Sequence, residues 1–313
     1  MSEGTALSDE NWDEGFSLPA PRSNRRLTLA KRVEAFLFLG LLRILRRCSI
    51  EKASGAVGRT MRVVGPMLRP IQKRGLANLK LIYPEMAQIE RQAILRDAWE
   101  NVGRTAAEYA HFDKLADRVT IERGEIMEKI AAENRQAIFV SGHFGNWEAL
   151  GTILRRAGIR FAMVYRAPNN RLVDEHIIGL RGAHISRLQI PKGKRGGRDL
   201  LNALKEGYSL SMLVDQKLND GIEVPLLGYP AMTPPAAARL ARKLNLPIIP
   251  LQMTRRPGAH FLVTVHDPIE PGDRTVEELT TRINAILGDF ILARPDQWLW
   301  FHRRWPAELT PID

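Results

Sequence analysis

His143 and Glu148 stand five positions apart in Ala137-Ile-Phe-Val-Ser-Gly-His143-Phe-Gly-Asn-Trp-Glu148, where an apolar run gives way to a turn. An imidazole with one nitrogen hydrogen-bonded to a carboxylate keeps the other as a base, and such a base needs only a hydroxyl to activate. Residues five apart on a regular helix point about 140° away from each other. The pair can therefore meet only if His143 sits on the turn and Glu148 lies in or near the first turn of the helix that follows. The sequence expectation is a dyad, with His143 as base and Glu148 as its orienting partner.

The elements that must position this pair are legible around it. Residues 137–140 are a short apolar run of the kind that fills the centre of a sheet. Ser141-Gly142 ends it, and Asn146-Trp147-Glu148-Ala149-Leu150 resumes with helix-compatible residues. Gly142 and Gly145 let backbone approach a ligand closely. A base there would face the crevice at the carboxyl end of the strand, where open α/β sheets bind ligands. Further strands are expected at 161–164, 209–214, 248–253 and 261–265, and helices at 173–181, 198–205, 235–243 and 275–292. That alternation predicts an α/β fold: a central, mostly parallel or mixed sheet flanked by helices. Residues 25–118 read instead as a basic helical region, with breaks at Gly65-Pro66, Pro70 and Tyr83-Pro84. The expected division is a disordered acidic tail at 1–24, a membrane-associating helical arm at 25–118 and an α/β catalytic core at 119–313.

The 313 residues are 44% hydrophobic, enough for a sizeable core. Lys and Arg number 46 against 35 Asp and Glu, a net charge of +11. That excess favours acidic partners: a membrane surface, a phosphorylated substrate, an acidic carrier protein or nucleic acid. Charge alone permits a basic nucleic-acid-binding protein, but no recognition motif, aromatic RNA-binding pattern or repeat supports one. The single cysteine, Cys48, excludes an internal disulfide and lies beside Arg46-Arg47 in no catalytic setting. No G-x-S-x-G elbow is present, which argues against a serine acyl-enzyme. His111, His176, His184, His260 and His266 lack paired metal-ligand spacing, so no metal is expected. The start of the chain lacks the pattern of a secretory signal.

From Arg25 to Arg47, apolar Leu27, Leu29, Val33, Phe36, Leu37, Leu41, Leu42, Ile44 and Leu45 are interleaved with basic residues. The longest charge-free run, 35–42, falls far short of the roughly 20 residues of a spanning helix. A basic amphipathic helix lying in the interface explains it better. Arg59, Arg62, Arg69, Lys73, Arg74 and Lys80 continue the basic character, and each cation near an anionic leaflet contributes about 1 kcal/mol.

His143-x4-Glu148 resembles the HX4(D/E) signature of glycerolipid and lipid A acyltransferases. With Phe-Gly-Asn-Trp between the two residues, it is similar to the late acyltransferases of lipid A biosynthesis in particular, the lauroyl- and myristoyl-type enzymes. Ordered blocks extend the resemblance over about 27–307. Val164-Tyr-Arg166-Ala-Pro168-Asn-Asn is similar to the family's second block. Val214-Asp215-Gln216 and Val224-Pro225-Leu-Leu-Gly228 resemble "DQ … VPFFG", although Leu226-Leu227 replaces the usual aromatics, a change expected to affect packing more than chemistry. Thr233-Pro-Pro-Ala-Ala-Ala-Arg239-Leu-Ala241, Leu246-Pro-Ile-Ile-Pro250 and Pro295-Asp-Gln-Trp298-Leu-Trp-Phe-His302-Arg303-Arg304-Trp305 follow in order. Upstream, Asn78-Leu79, Tyr83-Pro84-Glu85 and Trp99-Glu100-Asn101 fit the family's N-terminal helices.

The resemblance implies a glycerolipid-acyltransferase-like fold. It also implies transfer of a fatty acyl chain from acyl carrier protein to a hydroxyl of a lipid A precursor, at the cytoplasmic face of a bacterial inner membrane. Another glycolipid or glycerol phosphate as acceptor is the nearest alternative. No cofactor is implied beyond the acyl carrier protein co-substrate, and the partners would be that carrier, anionic membrane lipid and the phosphorylated acceptor. By the same resemblance Arg166 and Arg181 bind phosphorylated glycolipid or stabilise the oxyanion, a task suited to arginine's bidentate fork. Asp215 is expected at a strand's carboxyl edge, organising an arginine, holding a sugar hydroxyl or capping a turn. The basic, Gly-rich Pro191-Lys-Gly-Lys194-Arg195-Gly-Gly197-Arg198 lacks P-loop order and reads as a solvated loop near phosphate. The Trp298–Trp305 cluster reads either as interfacial aromatics or as half-buried packing.

Overall fold

A computed structural model describes residues 27–193 and 196–312. The expectations for the acidic tail, for Arg25 and Arg26, and for Lys194 and Arg195 lie outside the described residues.

The chain begins with helices α1 (Leu29–Leu45), α2 (Ile50–Val64), α3 (Arg69–Ile82) and α4 (Gln88–Glu108), followed by a 3-10 turn at Tyr109–Lys114. Thr28 and Ser49 start the first two by accepting hydrogen bonds from the Lys31 and Lys52 amides. Pro70 in the first turn of α3 loses nothing, because that turn's N–H groups have no helical acceptor. α2 and α4 pack along their lengths, and the Gly103 contact shows how closely. A Cβ there would lie 2.7 Å from the Met61 side chain and 2.8 Å from the Val57 carbonyl.

The alternating part follows as β1 (Val119–Glu122), α5 (Glu125–Ala132), β2 (Ile138–Ser141), α6 (Leu150–Arg156), β3 (Phe161–Tyr165), α7 (Arg171–His184), β4 (Gln189–Pro191) and α8 (Gly196–Lys205). It continues through β5 (Ser209–Leu213), β6 (Ile222–Leu226), β7 (Tyr229–Thr233), α9 (Ala236–Leu244), β8 (Ile248–Arg256), β9 (His260–Val265) and α10 (Val276–Ala293). Among the described residues, seven strands form one sheet in the order β1-β9-β8-β2-β5-β3-β4, and β6-β7 form a separate hairpin. All pairs in the large sheet are parallel except β8–β9. The fold is therefore the expected α/β class, a mostly parallel sheet flanked by helices. β2 lies at its centre and every residue of it is buried, which is why it reads as a continuous apolar run. The helical region shares the core: Leu79, Leu95, Trp99 and Phe112 belong to the same buried cluster as the sheet residues.

Four strands went unforeseen. β1 and β4 are short and partly polar, and β6 carries Pro225, which ordinarily argues against a strand. The β6–β7 turn uses Leu227 and Gly228, both with positive φ. Such two-residue turns normally announce themselves as Asn-Gly or Asp-Gly, and leucine hides this one.

Candidate active site

β2 and β5 are adjacent and parallel, with Ser141 opposite Leu213. His143 and Asp215 each lie two residues beyond that pair, so both emerge at the same carboxyl edge. There the Asp215 carboxylate accepts from the His143 backbone N–H at 2.9 Å and meets its Nδ1 at 2.8 Å. Its second oxygen also accepts from Trp298 Nε1–H at 2.9 Å. Burial alone would raise the Asp215 carboxyl, but the charge and hydrogen bonds of His143 overcome it and hold the group well below the usual carboxylate range. An ionised carboxylate only accepts, so Nδ1 of the neutral ring carries the proton and Nε2 keeps its lone pair. The His143 side chain retains 16% of its exposure while Asp215 is 1% exposed, so the imidazole is reachable and the carboxylate beneath it is not. Gln216 Nε2 stands 3.4 Å from His143 Nε2, and Trp147 meets the ring edge-on.

Glu148 is not the hydrogen-bond partner of His143, which corrects the expected dyad geometry. It lies on a 3-10 turn, Trp147–Ala149, that leads into α6. Its carboxylate is buried and takes the Nε and Nη2 groups of Arg181 at 2.8 and 2.7 Å. Burial opposes ionisation of Glu148, but Arg181 and a hydrogen bond from Tyr109 lower its pKa nonetheless. Tyr109 in turn is pushed well above its ordinary value by burial and by the Glu148 charge. The Arg181 fork is thus closed on Glu148 rather than held open for a phosphate. Among the described residues its Nη1 is buried and has no hydrogen-bond partner. Its guanidinium lies over the Tyr165 ring, 5.5 Å from the centroid.

Arg166 is exposed at the carboxyl end of β3. From the loop read as phosphate-proximal, Lys192 donates to the Leu213 carbonyl at 3.2 Å, and burial holds its pKa below the ordinary lysine value although Asp215 favours its charge. The Trp-rich segment is no interfacial belt: Trp298, Trp300 and Trp305 are at most 1% exposed. They form the floor under Asp215, and Phe144 pairs with Trp298 in an isolated β-bridge.

A second buried polar cluster, missed in the sequence, fixes the turn that carries His143. Asn101 and Thr105 of α4 donate to the Gly145 carbonyl at 2.9 and 3.1 Å. Asn146 donates to Glu108 at 2.8 Å, and Glu108 forms a two-point pair with Arg255 of β8. Arg255 also donates to Asn101 at 2.6 Å. Gly145 itself sits at φ +49°, where a side chain would be strained. Trp99-Glu100-Asn101 was the available signal, since an asparagine on the buried face of a helix needs a polar partner.

Two predictions follow from the Asp215 environment. Asp215 takes three N–H donors on two oxygens, and asparagine cannot. If the Asn oxygen faces Nδ1, its NH2 confronts two N–H groups; if it turns, it donates to Nδ1 and drives the proton to Nε2. Asp215→Asn should lower kcat by about 10²–10⁴-fold with little change in KM. A variant with near-normal kcat would remove Asp215 from the base's support.

The second concerns His302, which donates from Nδ1 to the Leu299 carbonyl and whose buried Nε2 has no partner among the described residues. Burial pushes it from the ordinary 6.5 down to about 4. Between those values the unfolded chain binds a proton that the folded protein refuses, so stability falls as pH drops through that interval and levels off below it. The loss is on the order of 3 kcal/mol, and denaturation curves at about pH 7 and about pH 4 should show a smaller drop for His302→Gln. Equal drops in both proteins would contradict a buried, neutral His302.

The chain matches a family model described as bacterial lipid A biosynthesis acyltransferase over residues 21–307. It is 24% identical over 273 residues to lipid A biosynthesis acyltransferase 1 of Shigella flexneri, covering 82% of each chain. The same identity and coverage hold for the lipid A biosynthesis myristoyltransferase of Escherichia coli (strain K12). The lauroyltransferase of that organism is 27% identical over 243 residues, 72% of this chain and 76% of that one. The crystal structure of the 1-acyl-sn-glycerophosphate acyltransferase from Thermotoga maritima aligns with 72% of this chain and 98% of its own, at 15% identity and a TM-score of 0.34, a likeness too slight to bear on fold or activity. On the family match, which takes in the His143 turn, Asp215 and the Trp-rich floor alike, the chain belongs to the bacterial lipid A biosynthesis acyltransferases.

Proposed function

We propose that the protein transfers a fatty acyl chain from acyl carrier protein to a hydroxyl of a phosphorylated lipid A precursor, with His143 as general base. The observation that carries this reading is the His143–Asp215 hydrogen bond, which leaves Nε2 as the accepting nitrogen at the carboxyl edge of the sheet. Nε2 takes the acceptor's hydroxyl proton while the oxygen attacks the thioester carbonyl. The tetrahedral adduct then collapses, the new ester forms, the carbon–sulfur bond breaks, and the carrier's thiolate recovers the proton from His143. Neither a covalent enzyme intermediate nor a cofactor is needed.

Glu148 and Arg181 act as one unit in this reading. Glu148 anchors the guanidinium behind the His143 turn, and the pair holds that turn in place for the developing oxyanion. Truncating either partner leaves a buried charge uncompensated at about 3–5 kcal/mol, so folding has to be checked in such variants. Arg166, exposed at the end of β3, is the better candidate for acceptor phosphate.

The setting we infer is the cytoplasmic face of the inner membrane. No helix among the described residues is long and apolar enough to cross a membrane. α1 turns Leu29, Val33, Phe36, Leu37, Leu41 and Ile44 to solvent, with Phe36 72% exposed, while Ala35, Leu42 and Leu45 pack inward. That is an apolar stripe with nothing over it among the described residues, as expected of a helix lying in the lipid interface. Asn170, in the loop after β3, donates to the Lys31 carbonyl at 2.8 Å and so ties α1 to the crevice edge. A lipid acceptor in the same leaflet would meet the base there.

The decisive assay supplies acyl carrier protein thioester and lipid A precursor to the purified enzyme, with lipid A from cells with and without the gene compared by mass spectrometry. His143→Ala should retain its fold and vesicle binding yet lose about 10²–10⁴-fold in turnover. Retention of a tenth of normal turnover by the folded variant would exclude His143 as base.

A further inference from the structure

A second group of exposed apolar side chains lies away from α1, at the corner where α2 ends and α3 begins. Val63, Val64, Met67 and Leu68 are 64%, 42%, 68% and 43% exposed. Gly65 between them is buried against Trp99: a Cβ there would lie 2.3 Å from the indole ring. Pro66 opens the 3-10 turn that reverses the chain. The corner is thus pinned from within at Gly65 while the residues on either side of it are turned outward.

Its surroundings are cationic. Arg62, Arg69 and Arg96 line the same recess as Val63, Pro66 and Met67. Arg62 is engaged by Asp97 and Glu100. Arg69 and Arg96 are exposed and have no ion pair among the described residues. Exposed apolar side chains bordered by guanidinium groups match the layers of an anionic leaflet, acyl chains beneath phosphates. Arginine suits that border, because its fork takes phosphate oxygens in pairs. A protein partner would instead need an apolar surface ringed by carboxylates.

We propose that the α2–α3 corner is a second bilayer-insertion point, seated among anionic headgroups by Arg69 and Arg96. The inference rests on the reading of the protein as a membrane-surface enzyme and adds a second contact to α1. Two separated contacts fix the tilt of the protein on the membrane, which a single helix lying in the interface leaves free to rotate about its axis.

The test uses the full chain with Cys48→Ser and Met67→Cys, labelled at the new thiol with an environment-sensitive fluorophore. Cys48 is an exposed free cysteine, so its replacement leaves one labelling site. On vesicles of phosphatidylglycerol and phosphatidylethanolamine, the emission should shift to the blue and become shielded from iodide, with little change on phosphatidylcholine alone. In the unlabelled protein, replacing Val63, Val64, Met67 and Leu68 by serine should lower partitioning onto the anionic vesicles at least tenfold, roughly the loss of the inserted apolar area. Acyl transfer in detergent micelles should stay unchanged. A protein that binds the vesicles while the label stays water-exposed would overturn the corner and leave the α1 contact standing. Failure to bind vesicles at all would overturn both. A blue shift produced by soluble acyl carrier protein in place of vesicles would reassign the corner to a protein partner and also overturn the proposal.

Discussion

A neutral imidazole carries one N–H, and an ionised carboxylate can only accept; much of this structure depends on where that leaves the lone pair. Asp215 fixes the proton of His143 on Nδ1 and, through its bond to the His143 amide, fixes the backbone from which the ring hangs. Trp298 donates to the same oxygen as the His143 amide, so Asp215 cannot swing away without losing all three bonds. The reward of the arrangement is a reachable Nε2 on an otherwise buried assembly. Its energetic burden is an ionised carboxylate with 1% exposure, tolerable only because three N–H donors surround it.

The same logic extends outward in layers. The His143 turn is held at Gly145 and Asn146 by α4, and α4 is joined to β8 by the Glu108–Arg255 pair. Glu108 is completely buried, so either member alone would be an unbalanced charge in the core. The Glu148–Arg181 pair repeats the device on the other side of the turn, joining it to α7. Two buried ion pairs thus brace a loop that Phe144 also seats in the core. Both place rigid elements, helices and central strands, behind a site that must keep its geometry to a fraction of an ångström. The basic helical region serves the site from one face through α4, while α1 at its start presents an apolar stripe outward.

What could be read from the residues was what is local. The apolar runs that became β2, β3, β5, β8 and β9 are parallel-sheet strands buried on both faces or strands of clear alternation, and periodicity finds those. The turn bearing His143 showed itself as a strand that stops at Ser141-Gly142. What periodicity could not reach was the order of the strands. Asp215 lies 72 residues from His143 in sequence, and only the β2–β5 adjacency, made by a crossover, brings the two together. Sequence spacing alone therefore points to the carboxylate five residues away as the partner of His143 and leaves Asp215 without a defined role. The closure of Arg181 on Glu148 is likewise a tertiary event that its helix position does not announce. The Trp-rich tail illustrates the same limit: its composition fits a membrane belt and a core equally, and burial decides.

Everything at this site follows from which nitrogen of neutral His143 carries the proton, and ¹⁵N NMR of the imidazole observes it directly. In the wild-type protein with the ring neutral, His143 should show a protonated Nδ1, its proton shifted downfield by the bond to Asp215, and an unprotonated, pyridine-like Nε2. A neutral ring protonated on Nε2 would put the lone pair on the buried side, leave no base facing the crevice and contradict the account.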